Sequence, residues 1–138
     1  MAIKVHGLPM SSCVARVLLC LSEMAHELVP LDAAAAAHKH QPYLSLNPFG
    51  KIPALEDGDV KLFELTAINK YLATKYKDTG IDLLKTSDDF IESIIVDTWM
   101  EVEADQCNEP MSKIDIPRNA LSIQYMGCPQ TMRSLKLK

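Results

Sequence analysis

Apolar positions along the first 77 residues alternate between two periods, two for strands and three to four for helices. "IKVHG" (Ile3–Gly7) alternates and predicts a short strand. Val14, Val17, Leu18, Leu21 and Met24 then fall at helical spacing within Ser11–Glu27, with Ser11 or Ser12 as N-cap. "ELVPLD" (Glu27–Asp32) reads as a second strand, and its Pro30 suits a sheet edge. If the two strands are parallel, the intervening helix is their crossover. The alanine run 33–37 and the polar residues after it predict a helix only in part.

Ile52, Ala54 and Leu55 open a buried strand, with Pro53 awkwardly among them. Two apolar runs flank Asp57-Gly58, a strong hairpin signal. From Leu65 onward, Ala67, Ile68, Tyr71, Leu72 and Lys75 share one helical face. The order is strand, helix, strand, helix or loop, hairpin, helix (βαβ-α-ββα). One parallel pair and one antiparallel pair, covered by helices, make a thioredoxin-like α/β layer over residues 1–77. Residues 78–88 read as a polar linker. Ile91, Ile94, Ile95, Thr98, Trp99 and Val102 then repeat at helical spacing, which predicts a helix from about Asp88 to Cys107. After Pro110 no period is sustained. Residues 89–138 are thus expected to form a partial all-helical domain with an irregular tail.

Charge and composition narrow the classes. The net charge of −4 is uneven: residues 111–138 carry five Lys/Arg against one Asp, a net +4, which leaves −8 on residues 1–110. An acidic main body argues against a nucleic-acid surface. No run of 18 apolar residues exists to span a membrane, and "MAIKVHGLPM" lacks the pattern of a secretory signal. The expected location is the cytoplasm. Cys13, Cys20, Cys107 and Cys128 form no CxxC pair and no His/Cys zinc spacing, so they are expected to be free thiols, and no metal is expected.

Pro53 raises the chemical question. A proline inside a strand removes a ladder donor. A cis Ile52–Pro53 bond would turn the chain and expose the backbone N–H and C=O of Ile52 to an added peptide strand. A trans proline merely opening an edge strand is the plainer alternative.

"GLPMSSCVARVLL", "HKHQPYLSLNPFGKIPALEDGDVKLFE" and "AINKYL" together make residues 3–110 resemble a plant phi-class glutathione transferase. The resemblance covers about four-fifths of the chain and fades after Glu109, as in a C-terminally truncated or divergent member. It implies a cis Pro53 and a serine, Ser11, that stabilises the glutathione thiolate. The physics agrees: a thiol near pKa 8.5 is mostly protonated at neutral pH, and a hydroxyl beside unpaired helix N–H groups favours its anion. Ser12 and Cys13 stand next to that position. The resemblance also places His38, Lys39 and Lys51 around the glycyl carboxylate, with Lys51 where a glutamine is usual. It gives Ile52 and Pro53 the backbone contact, and Glu64 and Leu65 the γ-glutamyl end. Where the family has Glu-Ser-Arg-Ala, this chain has Glu64-Leu65-Thr66-Ala67. The lost serine hydroxyl implies weakened glutathione binding.

The implied activity is transfer of the glutathione thiolate to hydrophobic electrophiles, a detoxification reaction, with glutathione as co-substrate and no other cofactor. Phe49 matches a position that anchors a homodimer. Two further readings stand beside this one. The first is a non-catalytic glutathione- or ligand-binding protein, or an inactive truncated fragment. The second is a glutaredoxin-like oxidoreductase working through Cys13, which the missing CxxC pair disfavours.

Overall fold

The computed structural model describes residues 2–79, 82–85 and 90–107. The elements in chain order are β1 (Ile3–Gly7), α1 (Ser12–Cys20), β2 (His26–Pro30), two short 3-10 turns (Ala37–Lys39 and Tyr43–Ser45), β3 (Ala54–Asp57), β4 (Val60–Phe63) and α2 (Leu65–Lys75). A further 3-10 turn (Lys77–Thr79) follows, then α3 (Phe90–Val102), which runs into a π-helical turn (Glu103–Cys107). The irregular tail expected beyond Pro110 lies outside the described residues.

The four strands form one sheet in the order β2-β1-β3-β4. β1 pairs with β2 in parallel and with β3 antiparallel, and β3 pairs antiparallel with β4. This is the mixed thioredoxin-like sheet that the pattern predicts. β2 is an edge strand and Pro30 is its last residue, where a missing N–H costs least. Asp57 pairs with Val60, so the hairpin loop is Gly58-Asp59, and Asp57 itself belongs to the strand.

Strand alternation separates the two faces. Ile3 and Val5 of β1 and Leu55 of β3 are buried with Val14 and Val17 from α1, with Leu21 at its C-cap, and with Ile68 and Leu72 from α2. Burying each such side chain contributes roughly 1.5–3 kcal/mol relative to leaving it exposed. On α2 the apolar face is narrower than its spacing suggests: Ile68, Leu72 and Ala73 are buried, while Ala67 and Lys75 are exposed. The opposite sheet face is charged at one end. There the register runs Glu27, Lys4, Glu56, Lys61 across the four strands, alternating in sign.

Two contacts fix the helices to the sheet. A Cβ on Gly7 would come within 2.4 Å of Val14 Cγ2, so only glycine lets α1 approach the end of β1 this closely. At the other end, Asp57 Oδ2 accepts hydrogen bonds from Lys75 Nζ (2.7 Å), Tyr76 Oη (2.7 Å) and Tyr71 Oη (2.9 Å). The hairpin is thereby tied to the last turn of α2. Cys13 and Cys20 are free thiols, as expected.

Candidate functional site

Sheet polarity gathers the candidate residues. β1 ends at Gly7 and leads to Ser11 at the start of α1. β2, parallel to β1, ends on the same side and leads into the segment that carries His38, Lys39 and Lys51. β3 is antiparallel to β1, so Ile52 and Pro53 enter it from that side. β4 returns there and ends beside Glu64 and Leu65. Ser11, Lys51, Ile52, Pro53, Glu64 and Leu65 therefore lie at one end of the sheet, and the connection that leaves β2 at that end carries His38 and Lys39.

Ser11 is the N-cap of α1, in an extended conformation (φ −76°, ψ 124°), and is 2% exposed. Its Oγ accepts from the Val14 N–H at 3.4 Å. Capping uses the oxygen as an acceptor, so the hydroxyl proton stays available as a donor. Ser12 is the first helical residue, and both it and Cys13 are partly exposed.

The Ile52–Pro53 bond is cis, as the sequence reading anticipates; Gln41–Pro42 is also cis, which that reading does not foresee. β3 begins only at Ala54, so the backbone of Ile52 precedes the first ladder pairing. The peptide before it is clamped from beneath. The Lys51 carbonyl accepts hydrogen bonds from Tyr43 Oη (2.5 Å) and Asn47 Nδ2 (2.9 Å), and both of these residues are buried. Asn47 Oδ1 also accepts from the Phe49 N–H at 3.0 Å. Burial pushes the Tyr43 hydroxyl well above its ordinary pKa, so it remains a donor. Sequence reasoning passes over Tyr43 and Asn47, though a polar residue just before Pro48 was the available signal.

The three basic candidates are placed differently. The Lys51 side chain is exposed. Lys39 is exposed as a residue, and its Nζ donates to the Gly50 carbonyl at 2.5 Å. His38 is buried beneath them, and burial first, then the charges of Lys39 and His40, hold its pKa below the usual histidine value. It is neutral at pH 7. Gly50 has φ +56°, and a Cβ there would come within 2.8 Å of the His38 carbonyl oxygen. Glycine therefore lets the 47–51 loop close onto the 37–39 turn.

Glu64 is exposed, makes no capping hydrogen bond and has φ 72°, ψ 118°. For a residue other than glycine this conformation costs about 1–3 kcal/mol and recurs at binding sites. Its carbonyl accepts the first bond of α2, from Ile68 N. The N–H groups of Leu65, Thr66 and Ala67 precede that bond, so α2 offers its N-terminal donors beside a carboxylate. The Leu65 side chain turns instead onto the hydrophobic core.

Phe49 stands 66% exposed, with its ring edge-to-face against Phe63 at 5.9 Å between centroids. Among the described residues, no His/Cys/Asp/Glu cluster suits a metal ion. No helix of the described residues is long and apolar enough to cross a membrane.

Comparison with known proteins agrees with this geometry. Residues 1–74 match the family described as "Glutathione S-transferase, N-terminal domain". Glutathione S-transferase PARB of Nicotiana tabacum is 50% identical over 116 residues, which are 83% of this chain and 54% of that protein. Glutathione S-transferase F13 of Arabidopsis thaliana is also 50% identical over 116 residues, covering 83% and 52%. The crystal structure of glutathione transferase F7 from Populus trichocarpa superposes with a TM-score of 0.75 at 45% identity, covering 80% of this chain and 53% of that one. The structure of glutathione S-transferase I from maize in complex with an atrazine–glutathione conjugate gives 0.67 at 41% identity, covering 77% and 49%. The chain spans about half the length of the curated relatives it matches. On the family match and these likenesses, the chain belongs to the glutathione S-transferase family, among its plant phi-class members.

Proposed function

We propose that this chain binds glutathione along the edge defined by Ser11, Ile52 and Glu64, and transfers its thiolate to hydrophobic electrophiles. The carrying observation is that three unlike groups stand at one end of the sheet. They are a capping serine hydroxyl, a backbone peptide before the ladder and an uncapped carboxylate at a helix start. Relatives in the family carry the name glutathione S-transferase, and one solved relative holds a glutathione conjugate.

The roles follow from the chemistry. The glutathione cysteinyl backbone pairs with Ile52 beside Pro53, as an added strand does. Glu64 takes the γ-glutamyl ammonium, and the N–H groups at the start of α2, Leu65 among them, take its carboxylate. Lys39 and Lys51 neutralise the glycyl carboxylate, with neutral His38 packed beneath them. The Ser11 hydroxyl donates to the sulfur and favours the thiolate, and the displaced proton leaves to solvent. That thiolate forms a C–S bond to the electrophile, whose leaving group departs with the bonding electron pair. Glutathione is a substrate in this scheme, and no further cofactor enters. Phe49, exposed on the 47–51 loop, is the anchor for a second copy, and the setting is the cytoplasm.

Retention on immobilised glutathione followed by an aryl-halide conjugation assay tests the reading. Binding with turnover that is lost in Ser11→Ala supports it. Binding without turnover favours the non-catalytic ligand-binding alternative, toward which the Leu65 departure points. Absence of both would overturn the proposal.

A further inference from the structure

The two flanks of Ile52 carry opposite charge. One residue beyond the last ladder pair, Ala54–Phe63, stand Pro53 on the β3 side and Glu64 on the β4 side. Glu64 is exposed and makes no capping hydrogen bond. On the other flank Lys51 is exposed, and Lys39 Nζ donates to the Gly50 carbonyl at 2.5 Å. An ammonium has three donors, so that bond leaves two for a ligand. His38 is neutral at pH 7, so the two lysines supply the charge of this flank.

The Glu64 flank lacks a matching cation. From Leu65 to Asn69 the chain has no Lys or Arg, and Lys70 is committed to Asp97 at 2.9 Å. The Leu65 side chain packs on the core, and Ala67 has no polar atom to offer. Thr66 holds the turn's only side-chain donor, about 100° round the helix from Leu65. A ligand carboxylate placed here meets two opposed effects. The N–H groups at the start of α2 attract it, and the Glu64 charge at the same helix start repels it. A carboxylate beside Lys39 and Lys51 meets attraction alone. A ligand ammonium has the reverse preference and belongs with Glu64. We propose that the site selects thiol peptides by a C-terminal carboxylate and an N-terminal cation, and that the γ-glutamyl carboxylate of glutathione is dispensable. The substrate class is then thiol peptides ending in Cys-Gly, with glutathione as one member. This rests on the glutathione-binding reading above.

Two analogues each delete one carboxylate and keep the rest of the molecule. In 4-aminobutyryl-Cys-Gly the γ-glutamyl α-carboxylate is gone, and in glutathione amide the glycyl carboxylate becomes an uncharged amide. Both are compared with glutathione by isothermal titration of the full chain. The first should bind within about threefold of glutathione, and the amide about tenfold or more weaker. Glu64→Gln should weaken 4-aminobutyryl-Cys-Gly about tenfold and glutathione by less, because repulsion of the glutathione carboxylate is lost as well. Lys39→Gln combined with Lys51→Gln should abolish the deficit of the amide, and thermal unfolding checks that each variant is folded. A greater loss for 4-aminobutyryl-Cys-Gly than for the amide would overturn the proposal and leave glutathione binding in place. Equal binding of all three ligands would do the same. Failure of all three to bind would overturn the glutathione reading along with it.

Discussion

The side-chain amide of Asn47 donates to the carbonyl of Lys51 at 2.9 Å while its oxygen accepts from the Phe49 N–H at 3.0 Å. One buried side chain therefore sets two backbone units: the peptide preceding Ile52, and the loop that displays Phe49. Asn47→Ala leaves the Phe49 N–H unbonded and the Lys51 carbonyl with Tyr43 alone. We expect a stability loss of about 1–3 kcal/mol, measured by urea unfolding, with a parallel weakening of glutathione retention. Asn47→Asp keeps the acceptor but loses the donor to Lys51, and should recover the Phe49 contact alone.

Leu65 offers a gain-of-affinity test. Its side chain packs on the core where the family pattern has a serine hydroxyl. Leu65→Ser restores a hydrogen bond to a carboxylate, worth about 1.5–3 kcal/mol, so the glutathione dissociation constant should fall about 10- to 150-fold. Removing the half-buried leucine side chain should cost roughly 1 kcal/mol of stability. Isothermal titration and thermal unfolding separate the two effects. An unchanged affinity would show that the hydroxyl matters less than its geometry suggests.

Asp57 gives the fold an acid limit. Burial works to raise its pKa, but hydrogen bonds from Lys75, Tyr76 and Tyr71 and the Lys75 charge outweigh burial and lower it. A carboxyl whose folded-state pKa is depressed binds fewer protons native than unfolded. Its stabilisation is complete above the unfolded value, about 3.9, and is lost as pH falls through the folded value. Asp57→Asn should destabilise the neutral protein by about 1.5–3 kcal/mol and flatten that acid limb in unfolding measured against pH.

His38 should act in a higher window. Its folded-state pKa is lowered, chiefly by burial, so the native state resists protonation where the unfolded chain accepts it. Stability from this group is complete above about pH 6.5 and declines as pH falls from there. An NMR titration of the His38 ring should show a midpoint below the ordinary histidine value of about 6.5.

The helical and strand periods carried most of this fold, because burial on one face leaves a direct mark on residue order. Val14, Val17, Ile68 and Leu72 are at once the periodic residues and the core. What spacing could not show was set by contacts distant in sequence. Lys75 follows the helical period, yet its ammonium leaves the core to reach Asp57. The 33–47 segment has no period at all, and its Tyr43 and Asn47 are held by the Lys51 carbonyl. Ser11 and Glu64 were legible through a family resemblance, whereas the positive φ of Glu64 and the burial of His38 required coordinates.

The most direct test of the proposed chemistry is the ionisation of bound glutathione, followed by the ultraviolet absorption of its thiolate as pH is raised. With Ser11 in place the thiol should ionise at least one pH unit below free glutathione, about 1.4 kcal/mol of thiolate stabilisation. Ser11→Ala should return it to the free value, at a cost of about 1 kcal/mol in helix capping. A bound thiol that titrates like free glutathione in the unaltered protein, or a lowered value that survives Ser11→Ala, would contradict the assignment.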